Sequence, residues 1–80
     1  MSEEVLFKIE QQHTRSEIAE ALVSAAEQIE SGTVRLESDT ETQEVTVPET
    51  PRFEVELERL TDSETGEERY ELEYEIRWTK

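Results

Sequence analysis

The stretch Tyr70-Glu71-Leu72-Glu73-Tyr74-Glu75-Ile76-Arg77-Trp78 decides the reading of this chain. Apolar and charged residues alternate without a break and end on the only Trp. Successive side chains of a strand point to opposite faces, so this period of two predicts a strand with one buried and one wet face. Upstream, Phe53, Val55 and Leu57 alternate with Arg52, Glu54, Glu56 and Glu58 in the same way. Thr61 to Glu68, with Gly66, is the polar loop between the two runs, which together form a hairpin. At Arg59-Leu60 the pattern slips: strict alternation would bury Arg59 and expose Leu60, so a bulge or the strand end is expected there.

Further upstream, Val45 and Val47 mark a short strand, and Val34 and Leu36 another, with an acidic turn from Ser38 to Gln43 between them. Pro48 and Pro51 bracket a turn or an edge irregularity, since neither can donate to a ladder. Thr14-Arg15-Ser16-Glu17 has the spacing of a capping box, with His13 and Ile18 at the positions of a hydrophobic staple. A helix is predicted from Arg15 to about Ser31. Ile18, Ala21, Leu22, Ala25 and Ile29 lie on one stripe of it, and Gly32 is its left-handed stop. Before it, Val5, Phe7 and Ile9 alternate with Leu6, Lys8 and Glu10, which predicts a first strand over about residues 4–11.

The order β-α-β-β-β-β predicts a single α+β domain over residues 1–80. It is a two-layer sandwich in which one helix packs on one face of a mostly antiparallel five-stranded sheet. The expected core is Val5, Phe7, Ile9, the large residues of the helix stripe with Ala25, Val34, Leu36, Val45, Val47, Phe53, Val55, Leu57, Tyr70, Leu72, Tyr74, Ile76 and Trp78.

Charge narrows the function classes. The chain has 22 Asp and Glu against 8 Lys and Arg, a formal net charge of −14, and only Lys8 and Lys80 are lysine. Binding to nucleic acid or to an anionic membrane needs a basic footprint, so neither is expected. Excess carboxylate on a periodic, folding-competent pattern points to a salt-rich cytoplasm, where solvent cations crowd the surface and screen self-repulsion. The acidic start of the chain has neither the basic nor the apolar region of a secretory signal, and no apolar run approaches the roughly 20 residues of a membrane span. With no Cys there is no disulfide and no thiolate metal site.

Taken together, the N-terminal strand before Thr14-Arg15-Ser16-Glu17, the helix ending Glu30-Ser31-Gly32 and the Glu-rich amphipathic strands ending at Trp78 resemble the amphi-Trp domain family. The resemblance covers nearly the whole chain. It implies a small prokaryotic protein of the kind common in halophilic archaea. It implies no biochemical activity and supplies no catalytic residue.

The residues themselves offer few sites. Trp78 reads as a core plug at the end of the last strand, or as an aromatic anchor for a partner. Glu54, Glu56 and Glu58 share a face with Glu71, Glu73 and Glu75, giving two rows of carboxylate with alternate residues about 6.6 Å apart. The plain reading is a solvated acidic face. The functional readings are docking of a basic partner, mimicry of nucleic-acid phosphate, or weak binding of divalent cations; a flat strand face supplies no oxygen cage for tight binding. His13 has neither a second His nor a Cys with which to share a metal. Carboxylate pairs are too abundant to nominate an acid and a base, and two glycines make no phosphate-cradling loop. The expectation is therefore a non-catalytic interaction module without a cofactor, its partner another protein or itself. The second reading is an acidic decoy that occupies a nucleic-acid-binding protein.

Overall fold

A computed structural model describes residues 2–80. The chain contains α1 (Arg15–Ser31), β1 (Thr33–Glu37), β2 (Thr42–Thr46), β3 (Arg52–Thr61) and β4 (Glu68–Arg77). The fold class is α+β. The strands form two antiparallel sheets of two strands each, β1-β2 and β3-β4, in place of the expected single sheet of five. Contacts divide the chain into two compact units, residues Met1–Glu49 and Thr50–Lys80. No helix among the described residues is long and apolar enough to cross a membrane.

The first unit is organised by its helix. Thr14 holds extended backbone angles and caps α1: its Oγ1 accepts from the N–H of Glu17 at 3.1 Å, and its own N–H donates to Glu17 Oε1 at 2.8 Å. Two orphan donors of the first turn are thereby satisfied. His13 turns its Nδ1 toward Glu17 Oε2, 3.8 Å away. At the other end Gly32 takes φ +92, and its N–H donates to the carbonyls of Gln28 and Ile29 at 3.1 Å. This left-handed residue reverses the chain directly into β1.

The C-terminal half of α1 packs on β1, where Gln28 Oε1 accepts from the N–H of Arg35 at 2.7 Å. β1 and β2 pair in register Val34↔Val45. Val47, just past β2, donates its N–H to the Gly32 carbonyl at 2.9 Å. It is the one buried hydrophobic residue among those described, at 9% exposure, while Ala25, Ile29 and Val34 are half-buried.

The expected first strand is absent: residues 2–14 hold neither helix nor strand. Val5 is 76% exposed, and Leu6 and Ile9 are exposed with it. Alternation makes a strand only where a ladder partner takes up its backbone groups, and no ladder reaches this segment. The expected core is corrected as well. Phe53, Val55, Leu57, Tyr70, Leu72 and Tyr74 are all exposed.

The second unit is one hairpin of two ten-residue strands. Its register runs without interruption from Arg52↔Arg77 to Thr61↔Glu68, so of the bulge or strand end expected at Arg59-Leu60 the bulge does not occur, and β3 ends one residue on, at Thr61. Arg59 faces Tyr70 and Leu60 faces Arg69, each on the side that strict alternation assigns. The loop closes on Asp62, whose N–H donates to the Glu67 carbonyl at 2.9 Å and whose carbonyl accepts from the N–H of Gly66 at 2.9 Å. Its Oδ1 accepts from the N–H groups of Glu64 and Thr65. Gly66 supplies the left-handed conformation, φ +74, that this turn requires.

Candidate functional site

The hairpin β3-β4 gathers every candidate interaction residue except Trp78, which lies one residue beyond β4. Pairing sorts these residues onto two faces of opposite chemistry.

On the first face, Glu54↔Glu75, Glu56↔Glu73 and Glu58↔Glu71 stand directly opposite one another. The two predicted rows therefore align as three rungs of paired carboxylates. Like charges opposite one another across a pair destabilise it. The effect is largest in the middle: Glu56 has its carboxyl held above the ordinary range, first by Glu73 across the ladder and then by Glu54 along the strand. The outer rung is relieved. Arg77 places Nε 3.1 Å from Glu75 Oε1 and a terminal guanidinium nitrogen 3.7 Å from Glu54 Oε2. Arg52 stands opposite Arg77 at the end of this face.

The second face is apolar: Phe53↔Ile76, Val55↔Tyr74 and Leu57↔Leu72, followed by Arg59↔Tyr70. The rings of Phe53 and Tyr74, diagonal neighbours here, stack at 6.3 Å between centroids with planes 13° apart. Tyr70 donates its hydroxyl to Glu68 Oε2 at 2.6 Å. This face lies open, with Phe53 64% and Leu57 70% exposed. Trp78 continues the apolar parity of Leu72, Tyr74 and Ile76 and is 38% exposed.

One feature escapes a reading of the sequence. The Phe53–Tyr74 stack depends on a register that only the structure reveals. The place of Arg59 on the apolar face does carry a signal, because strict alternation puts it there.

A concavity of about 280 Å³ at the loop end of the hairpin is lined by Leu60, Thr61, Asp62, Glu67 and Arg69. Asp62 Oδ1 in it is already engaged by two loop N–H groups. Among the described residues no group of three or more His, Cys, Asp or Glu is placed to hold a metal ion. The hairpin can do one thing chemically: present an exposed apolar ribbon on one face and carboxylate on the other.

No curated protein and no solved structure matches the chain. The family model of the Amphi-Trp domain matches residues 1–80. An amphipathic helix, Glu-rich amphipathic strands and a terminal Trp thus meet in a chain that belongs to the amphi-Trp domain family.

Proposed function

We propose that this chain is a non-catalytic protein-interaction module working in a salt-rich cytoplasm. The observation that supports it is the open apolar face of β3-β4. An isolated two-stranded hairpin is marginal in water, and large apolar residues in a contiguous exposed row mark an interaction surface. Tyr70, Tyr74 and Trp78 supply the aromatic anchors on which binding energy concentrates. The acidic face is the solvated side, and its carboxylates hold water and cations.

The test replaces Tyr74 at the centre of the apolar face. Wild type and Tyr74→Glu are immobilised in molar KCl, crosslinked to what they bind, and compared, with circular dichroism confirming that both fold. The expected result is a protein retained by wild type and lost at least tenfold by the variant. Equal retention by both would place binding elsewhere.

The three Glu rungs support the second reading, an acidic decoy for a basic nucleic-acid-binding partner. Salt separates the two. Unscreened charge acts over about 8 Å at physiological ionic strength and about 3 Å at 1 M, so decoy binding should vanish in molar KCl while apolar docking persists.

A further inference from the structure

We infer that the occupant of the apolar face is a second copy of this chain, the two hairpins stacking face to face about a two-fold axis. This rests on the interaction-module reading and names its partner.

Area is the first argument. From the exposed fractions of Phe53, Val55, Leu57, Tyr70, Leu72 and Tyr74, the face carries roughly 700 Å² of uncovered side chain, counting about 200 Å² for a whole aromatic residue. Two such faces would remove about 1,300 Å² from water, which reaches the roughly 1,200 Å² at which specific interfaces begin. The chain's own helix offers much less. Ala25 and Ile29 are already half-buried in the half of α1 that meets β1, which leaves Ile18 and Leu22 as the large exposed residues of its stripe.

Charge is the second argument. A second copy also carries −14, so association is tolerated only where carboxylates stay apart. Stacking apolar face on apolar face turns all the Glu rungs outward, on opposite sides of two sheets about 10 Å apart. That separation exceeds the screening length at physiological salt. Approach through the acidic faces would set six carboxylates of one copy against six of the other.

Self-complementarity is the third argument. The face runs from Phe53↔Ile76 and Val55↔Tyr74 through Leu57↔Leu72 to Arg59↔Tyr70, where Arg59 is its one cation. A two-fold axis between the Val55↔Tyr74 and Leu57↔Leu72 rungs sets the Tyr74 ring of each copy on the slimmer Leu57↔Leu72 rung of the other. It also carries each Arg59 to the Phe53↔Ile76 rung of the opposite copy, where a guanidinium over an aromatic ring is attractive.

The chain has no cysteine, so single-cysteine variants report one position cleanly. Val55→Cys marks the apolar face and Glu56→Cys the acidic one. Each full-length variant, and the wild type, is studied in molar KCl by sedimentation equilibrium and with a bismaleimide that spans about 10 Å, the spacing of stacked sheets. The expected result is a mass twice the 9.4 kDa of the chain, with Val55→Cys crosslinked at least tenfold more than Glu56→Cys. A dimer crosslinked through Glu56→Cys and not Val55→Cys would overturn the proposal, as would a monomer at all concentrations. A monofunctional maleimide then separates the two kinds of failure. If Val55→Cys is a monomer whose thiol reacts freely, the face is open to a different partner and only the second copy is lost. If that thiol is unreactive, the chain covers its own face and the interaction reading falls too.

Discussion

Two glutamates respond to pH in opposite directions, and the reason is local in each case. Glu17 has its carboxyl lowered, chiefly by the N–H and hydroxyl of Thr14, with His13 adding to it. A group lowered by folding stabilises while it is ionised and loses that contribution as pH falls through its folded pKa. Glu56 is raised, by Glu73 and Glu54. The folded hairpin therefore binds that proton more tightly than the unfolded chain, and stability rises as pH falls through the raised value. Acidification from neutrality should first firm the hairpin, above the ordinary carboxylate range, and then fray the start of α1 below it. Amide chemical shifts of Thr14 and of the β3-β4 rungs, followed through a titration, would show two separate transitions; a single shared one would contradict the assignment. Thr14→Ala removes the cap acceptor, and it should cost about 1 kcal/mol in a denaturant melt, the usual worth of such a cap.

At the scale of elements, what the sequence reveals depends on whether the signal is local. The capping box, the Gly32 stop and the strand of Tyr70 to Arg77 each work within a few residues and lie where the pattern puts them, whereas Trp78 falls one residue past β4 and the face expected to be buried is exposed. Val5, Phe7 and Ile9 alternate too, yet a strand also needs a neighbour, which the segment's own sequence does not encode. The expected bulge failed for a different reason. Arg59 pairs with Tyr70 on an exposed face, where an arginine's aliphatic stem can cover apolar surface while its charge stays in water. The strands form two sheets of two and not one of five because which strands pair is not encoded within any one strand. The acidic rows of the candidate site were legible because parity alone places them; their alignment into rungs needed the register. The hairpin also depends on its turn. Gly66→Ala leaves room for the added methyl but places it at φ +74, and should lower stability by about 1 kcal/mol, read from a thermal melt.

Across the whole molecule, charge sets the conditions for folding. With −14 on 80 residues, added salt should stabilise strongly, because the screening length falls from about 10 Å at 0.1 M to about 3 Å at 1 M. Each kcal/mol recovered should raise Tm by about 4–8 °C for a chain of this size. Circular dichroism melts in dilute and molar KCl measure this directly, and superimposable curves would sink the salt-adapted reading.

The uninterrupted ten-residue ladder has one more consequence. Among the described residues β3 and β4 pair only with each other, so the outer edge of neither is taken up in a ladder. Neither strand contains a proline or a lysine to block further pairing. What guards those edges is the negative charge of Glu54, Glu56, Glu58, Glu71, Glu73 and Glu75. Protonation disarms it. Held well below the carboxylate range, the chain should add strand to strand into amyloid fibrils that bind thioflavin T and diffract at about 4.7 Å, and Glu56→Lys with Glu73→Lys should delay their onset. The same glutamates that weaken the hairpin as a pair keep it from becoming a template.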